Sequence, residues 1–227
     1  MLSNKTKSIM IMIIFLLIFS MQFISAKTLP LIGTIITIDP GHGGRDSGAL
    51  YGKILEKDIN LEISKILSDE LTKNGAIVYM TRESDIDLSS IYDSRKKRGD
   101  LYRRIISIKN NKSDLYLSIH INWYDNSNYR GAEVLYNSIN KNNKILAEAI
   151  MNQFKDRLNS QRDIKKTDLY LYKNITTPGV LIECGYLSNA TERKLVTDEN
   201  YQRKLSKAIT EGVIFYWKTL NKEKYVL

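Results

Sequence analysis

Short apolar runs alternate along the chain with longer segments in which apolar residues recur at helical spacing. The runs are continuously apolar, which is typical of strands that are buried on both faces of a sheet. The pattern predicts five strands, at residues 34–39, 76–81, 115–121, 132–136 and 179–183, and four helices, at 56–73, 99–109, 143–158 and about 199–220. Alternating strands and helices predict a single α/β domain, with a mostly parallel or mixed sheet of about six strands and helices on both faces.

The first 26 residues have the pattern of a targeting segment. Lys5 and Lys7 precede an apolar stretch from Ile9 to Phe19, the segment contains no acidic residue, and Ser25-Ala26 offers small residues for cleavage. We predict a signal peptide or membrane anchor at residues 1–26 and a catalytic domain at residues 27–227. The sequence leaves cleavage or retention open. In either case we expect an extracytoplasmic protein that contacts the membrane only through this segment.

Composition and charge narrow the possible partners. The single Cys184 rules out an internal disulfide, and the formal net charge of +9 favours an anionic partner. Much of the excess lies in a basic cluster that comprises Arg95, Lys96, Lys97 and Arg98 together with Arg103-Arg104. Outside the cytoplasm, anionic wall polymer or lipid headgroups are commoner partners than nucleic acid, so we expect no nucleic-acid partner. The cluster is either a solvated face or a docking face for substrate or partner.

The chain contains only two histidines, and each lies at the end of an apolar run. His42 follows IITIDPG and His120 ends LYLSIH. In α/β sheets ligands bind beyond the carboxyl ends of strands, so the two imidazoles are expected at one edge of the sheet. Glu56 opens the first helix. On its own it would be interpreted as a charge that complements the helix N-terminus. Beside two histidines it completes a His2Glu set, the arrangement of hydrolytic zinc sites, with one zinc per chain.

A fourth candidate, Glu183, ends the apolar run GVLIE. A carboxylate at the end of a buried strand is costly unless it is paired or functional. We predict a catalytic carboxylate, because burial raises the pKa of a carboxyl towards the range that suits a general base. The alternative is a structural salt bridge with an arginine of the basic cluster. Cys184 is expected to face away from Glu183, into the core.

Two further residues are candidates for binding substrate. Alternation along a strand places Ser118, His120 and Asn122 on the same face, so Asn122 is expected to orient substrate or to donate a supporting hydrogen bond. Arg104, in the basic cluster, is the second candidate substrate contact.

Five separated motifs together identify a family. The motifs are DPGHGGRDSGA, EKDINL, TR at 81–82, SIHIN and LIECGYLSN, and in order and spacing they resemble those of the zinc-dependent N-acetylmuramoyl-L-alanine amidases of the amidase-3 type. The resemblance extends from Ile35 to Trp217. The short form with an N-terminal export segment is most similar to the germination-specific type of spore-forming bacteria. Departures at Ile108-Lys109, Cys184 and Tyr186 concern the substrate groove.

The resemblance implies both a site and a reaction. It implies zinc ligands at His42, Glu56 and His120, with Glu183 as the catalytic carboxylate. It implies cleavage of the peptidoglycan amide between muramic acid and L-alanine, in spore cortex on the way to muramic-δ-lactam, with an accessory protein as a possible partner. Two alternatives remain open: a zinc peptidase that acts on the peptide stem, and a non-catalytic module that binds the wall or a partner.

Overall fold

The apolar runs of the chain form the centre of a six-stranded sheet. The computed structural model describes residues 29–224, together with residues 3–6, 10, 12–13 and 15. Its strands, in chain order, are β1 (Ile35–Pro40), β2 (Leu50–Tyr51), β3 (Ile54–Leu55), β4 (Ile77–Met80), β5 (Leu115–Asn122), β6 (Glu133–Tyr136), β7 (Lys165–Lys166) and β8 (Gly179–Tyr186). The sheet has the order β4-β1-β5-β8-β6-β7, and β2 and β3 form a separate hairpin.

The four strands at the β4 side of the sheet are parallel, and the other side is mixed. β1 pairs in parallel with β4 and β5, and β5 pairs in parallel with β8. β6 runs antiparallel to β8 and parallel to β7. The predicted mixed sheet of about six strands is therefore confirmed. Because β1, β5 and β8 are parallel and adjacent in the sheet, their carboxyl ends lie at one edge. The candidate residues lie at or just after these ends.

Helices cover both faces of the sheet, as predicted. The described residues contain α1 (Glu56–Lys73), α2 (Lys96–Asn110), α3 (Asn142–Leu158), α4 (Tyr170–Lys173), α5 (Ala190–Val196) and α6 (Glu199–Lys224). A large apolar core joins α1, α3 and α6 to one face. On the other face Ile105 and Ile108 of α2 pack in a smaller cluster with Tyr116, Leu135 and Leu181. Neighbouring strand residues such as Tyr116 and Leu117 belong to different clusters because successive side chains point to opposite faces.

The longest elements agree best with the sequence prediction. The bounds of α1 are the predicted ones, and Gly75, with a φ of 96°, follows its last turn as the expected helix stop. α2 begins three residues earlier than predicted, at Lys96. The elements β2, β3, β7, α4 and α5 were not predicted, because segments of two to seven residues are too short to show periodicity.

The predicted export segment, residues 1–26, lies largely outside the described residues. No helix of the described part of the chain combines the length and the apolar character that a membrane span requires.

Candidate active site

His42 lies in the turn that follows β1, and two buried arginines hold this turn. The backbone of His42 has a φ of 61°, a left-handed conformation that non-glycine residues seldom adopt. Arg82 donates to the carbonyl oxygens of Pro40 and Gly41, at 3.0 and 2.9 Å. Arg104 donates to the carbonyl oxygens of Pro40 and His42, at 2.7 and 2.6 Å. The strained turn is therefore held by hydrogen bonds from charged donors, which are stronger than bonds between neutral groups.

The remaining donors of Arg104 are also used. Its guanidinium contacts Asp39 at 2.8 Å and Asp100 at 2.7 and 3.3 Å, and the side chain is 2% exposed. All five N–H groups of the guanidinium are thus engaged within the protein. The predicted role of Arg104 as a substrate contact needs correction, because this guanidinium has no donor to offer. Arg104 instead holds the turn that carries His42.

Glu56 is presented by the β2–β3 hairpin, which leads directly into α1. Its Oε2 accepts a hydrogen bond from the backbone N–H of Ala49 at 2.7 Å. Its Oε1 accepts from the backbone N–H of Ile121 at 3.2 Å and from the side-chain amide of Asn60 at 3.3 Å. These contacts fix the carboxylate beside the end of β5, where His120 lies.

The two histidines and Glu56 converge on one point. Oε1 of Glu56 lies 3.2 Å from Nε2 of His42 and 3.0 Å from Nδ1 of His120. One candidate ligand atom from each residue lies within 4.8 Å of the other two. Two imidazole nitrogens and one carboxylate oxygen are a donor set that suits a hydrolytic zinc ion. The three residues therefore form a candidate metal site.

The surroundings of the site fit a metal as well. Asp46 Oδ2 lies 3.0 Å from Nδ1 of His42, the nitrogen that faces away from Glu56. A carboxylate on the far nitrogen is the usual way to orient a metal-binding imidazole. A Cβ at Gly48 would lie only 2.5 Å from Glu56 Oε2 and 2.7 Å from His42 Cδ2. The close approach of the backbone here therefore requires glycine.

The surroundings of Glu56 and His42 favour the charged form of each side chain. Burial opposes ionisation of Glu56, but the hydrogen bonds and charges of His120 and His42 outweigh it and lower the pKa of Glu56 below its ordinary value. Burial also disfavours the charged form of His42, and Glu56 and Asp46 outweigh it and raise the pKa of His42. The carboxylates are thus arranged to stabilise positive charge at this point, as a cation site requires.

Glu183 lies beside His120 on the neighbouring strand, since the two residues are partners in the register of β5 and β8. It lines a cavity of about 520 Å³ together with His42, Glu56 and His120. Its Oε2 is buried and accepts no hydrogen bond from the described residues. Burial, followed by the nearby carboxylates of Glu56 and Glu133, raises the pKa of Glu183 well above its ordinary value.

The predicted alternative for Glu183 was a salt bridge with the basic cluster, and that alternative is wrong. No ion pair of Glu183 occurs among the described residues, and Arg104 pairs with Asp39 and Asp100 instead. Cys184 is fully buried in the core of the opposite face, as predicted.

Asn122 lines the same cavity, at the end of β5. Its side-chain amide donates to Oε1 of Glu133 at 3.1 Å, and Glu133 also accepts from Tyr186 at 2.6 Å and from Arg162 at 3.2 Å. Ser118, which was expected to share a polar site face with Asn122, donates to Asp39 at 2.9 Å beneath the site. On the polar face of β5, Asn122 thus lines the site, and Ser118 binds a carboxylate that supports it.

The sequence prediction missed Asp46, Arg82 and Glu133. Asp46 lies four residues after His42 in a Gly-rich loop, and the Gly-rich pattern gave no sign of which polar side chain returns to the imidazole. Arg82 ends the stretch AIVYMTR, and Glu133 lies in AEVLY. A charged residue at the end of, or inside, an apolar run is the signal that could have indicated both, as it did for Glu183.

Comparison with known proteins agrees with this geometry. The profile of the family described as N-acetylmuramoyl-L-alanine amidase matches residues 36–214. The germination-specific N-acetylmuramoyl-L-alanine amidase of Bacillus subtilis (strain 168) is 40% identical over 215 residues, which cover 90% of this chain and 91% of that protein.

The similar solved structures are also amidases. The CwlD amidase from Clostridioides difficile, in complex with the GerS lipoprotein, is 37% identical with a TM-score of 0.78, over 82% of this chain and 99% of that chain. The catalytic domain of CwlV from Bacillus (Paenibacillus) polymyxa var. colistinus is 28% identical with a TM-score of 0.71, over 82% and 98%. The chain belongs to the N-acetylmuramoyl-L-alanine amidase family, whose members hydrolyse an amide bond of peptidoglycan.

Proposed function

We propose that this chain is a zinc-dependent amidase that cleaves the bond between the lactyl group of N-acetylmuramic acid and L-alanine. His42, Glu56 and His120 would hold one zinc ion. The observation that carries the proposal is that these three donors and the unpaired carboxylate of Glu183 line one cavity. Two imidazoles and one carboxylate leave a coordination position open, as a catalytic zinc requires.

The protein's own residues would move the protons. When bound, zinc supplies Lewis-acid polarisation of the scissile carbonyl and activates the attacking water. Glu183 takes the proton of that water and delivers it to the nitrogen of L-alanine as the amide bond breaks. A carboxyl with a raised pKa suits both halves of this transfer. Asn122 lies at the rim of the same cavity and orients the substrate.

The names of the relatives support a biological setting for this reaction. The Bacillus subtilis relative is germination-specific by name, and we propose a matching role here: cleavage in spore cortex that leads to muramic-δ-lactam. Such a role requires export, so the enzyme acts in the space between the spore membranes, either free or anchored by residues 1–26. The similar CwlD amidase was solved with the GerS lipoprotein, which supports an accessory protein as a partner of this chain too.

The test is to identify the new chain ends. Zinc-loaded, full-length protein is incubated with isolated cortex peptidoglycan, and the products are identified by mass. We expect peptides with a free L-alanine amine and muramic acid with a free lactyl carboxyl. Fragments cut within the peptide stem would show a peptidase instead. Equal activity after complete removal of zinc by chelation would contradict the metal dependence.

A further inference from the structure

The basic cluster of α2 divides into engaged and free side chains. Arg103 pairs with Asp93 at 2.5 Å, and Arg104 is buried beneath the His42 turn. Lys96 donates to the carbonyl oxygens of Ser90 and Ile91, both at 2.8 Å. Arg95 and Arg98 are exposed, and within the described part of the chain neither forms an ion pair. The cluster therefore leaves two guanidinium groups available to an outside ligand.

These two arginines line one groove. A cavity of about 640 Å³ is bordered by Arg95, Arg98, Tyr102 and Tyr170. The guanidinium carbon of Arg98 lies 5.8 Å from the centre of the Tyr170 ring, a cation–π contact that orients it. Among the described residues that line the groove, Asp93 is the one acidic residue, and Arg103 already neutralises it. The groove is therefore positively charged and has flat aromatic walls.

The groove lies next to a cavity that contains the proposed metal ligands. A second cavity of about 280 Å³ is lined by His42, His120, Leu169 and Tyr170, so Tyr170 borders both spaces. Lys97, the neighbour of Arg98, lies 3.7 Å from Asp46, which contacts His42. The two arginines thus lie beside residues, Tyr170 and Lys97, that border the cavity of the proposed metal ligands.

The other side of the site has a different character. The cavity that contains Glu183 is bordered by Leu50, Trp123 and Asn122, and the described residues that line it include no lysine or arginine. The two halves of the substrate differ in the same way. Before cleavage, the sugar half, which supplies the acyl group of the scissile amide, has no free carboxylate, and the peptide half, which supplies the amine, carries free carboxylates. Charge complementarity assigns the peptide half to the basic groove.

We propose that Arg95 and Arg98 form a subsite for the carboxylates of the stem peptide, so that the peptide extends towards α2 and the glycan lies towards Trp123. The proposal rests on the amidase function given above. Arginine suits this task because its planar donor pair matches a carboxylate. The subsite would make the enzyme prefer stems with free carboxylates over stems in which they are amidated.

The preference can be measured with two soluble substrates. These are N-acetylmuramoyl tripeptides that differ only in whether the stem carboxylates are free or carboxamides. For zinc-loaded, full-length enzyme, we measure the ratio of kcat/KM for the free form to that for the amidated form. In the double variant Arg95→Gln/Arg98→Gln this ratio should fall about fivefold, a little over twofold for each exposed ion pair. The ratio is insensitive to metal loading and to the folded fraction, because both substrates meet the same preparation.

A matched control removes the same charge elsewhere. Lys204 and Lys207 are exposed on α6, which packs against the opposite face of the sheet. Lys204→Gln/Lys207→Gln should keep the wild-type ratio. Raising the ionic strength should lower the wild-type ratio, because salt screens exposed charges, and should change the Arg95/Arg98 variant less.

Three outcomes would overturn the subsite. The first is an unchanged ratio in the Arg95/Arg98 variant, and the second is an equal fall in the control. The third is a variant that keeps the ratio but no longer binds whole walls or an accessory protein, which would make the arginines a docking face. If wild-type enzyme cleaves neither tripeptide, the proposed reaction on soluble substrate fails. Calorimetry then tests the subsite separately, by measuring the affinity of the enzyme for each of the two peptides. The preference for the free peptide over the amidated one should again fall about fivefold from the wild type to the Arg95/Arg98 variant.

Discussion

Two carboxylates on the α2 face of the sheet, near the ends of the parallel strands β1 and β8, have opposite surroundings. Asp39 of β1 accepts hydrogen bonds from Thr81 at 2.6 Å, Arg104 at 2.8 Å and Ser118 at 2.9 Å. Burial opposes its ionisation, but the charge of Arg104 and these bonds lower its pKa. Glu183 of β8 has a buried oxygen without a hydrogen-bond donor among the described residues, and burial raises its pKa.

This difference in hydrogen-bond partners distinguishes a structural carboxylate from a candidate catalytic one. A buried carboxylate that is fully paired stabilises one geometry, here the turn that carries His42. A buried carboxylate without a partner costs free energy in the folded protein, and such a cost is typical of groups that must gain and lose a proton. Asp39 and Glu183 thus lie on the same face of the sheet and differ in their partners: Asp39 supports the turn that carries His42, and Glu183 is the residue that we propose to be reactive.

The largest effect is expected from removing a proposed metal ligand beside Glu183. His120→Ala takes away one of the only two imidazoles, so the remaining donors hold zinc too weakly for a catalytic site. We expect loss of the bound metal and of measurable hydrolysis, with the fold retained. Metal analysis by mass spectrometry and far-UV circular dichroism check this result. Full zinc content in the variant would exclude His120 as a ligand.

Removing the arginine that pairs with Asp39 should lower the stability of the folded protein. Arg104→Met leaves Asp39 and Asp100 without their shared partner and frees the carbonyls of the His42 turn. Removing one member of a buried ion pair typically costs about 3–5 kcal/mol, because the other charge stays buried and unpaired. Urea unfolding should show this loss. Arg103→Met is the control, since Arg103 pairs at the surface with Asp93, and should cost less than about 1 kcal/mol.

The same chemical change at the two carboxylates should have opposite effects. In metal-free protein at pH 7–8, Asp39→Asn should lower the melting temperature, and Glu183→Gln should raise it by about 2–4 °C for each kcal/mol relieved. The folded pKa of Glu183 is raised, so its cost appears as the pH rises above the ordinary value of 4.5. The gain from Glu183→Gln should therefore vanish below about pH 4.

The effect at Asp39 has the reverse dependence on pH. Its folded pKa is lowered, so its contribution is present above the ordinary value of 3.8 and is lost as the pH falls through the folded pKa. Differential scanning calorimetry of both variants from pH 3 to pH 8 measures the two signs. Destabilisation by Glu183→Gln at pH 8 would mean that the carboxylate is paired in solution.

The fold and part of the site could be predicted from the sequence. Continuous apolar runs and the spacing of Ile59, Ile63 and Leu67 predicted the central strands and the bounds of α1, because burial imposes these periods. The structure brings together the two histidines, Glu56 and Glu183, which were predicted from their positions at strand and helix ends.

The partners of these residues could not be predicted in the same way. Hydrogen bonds such as Arg104 to His42 join residues 62 positions apart, and nothing in the local pattern indicates which arginine is buried. Six basic residues within ten positions read as one surface cluster in the sequence. In the structure, Arg104 is 2% exposed, whereas Arg95 and Arg98 are exposed and form no ion pair with any described residue. Tertiary packing alone makes this distinction.

Glu183 has no ion-pair or hydrogen-bond partner among the described residues, and we propose that it carries the proton of the reaction. The most direct measurement is the hydrolysis rate of Glu183→Gln protein that holds one zinc per chain. Gln has nearly the same shape, leaves the three proposed ligands in place and cannot accept the proton. We expect a fall of about 10²–10⁴-fold in kcat with zinc content unchanged. Turnover within a few-fold of the wild type at full zinc content would contradict it.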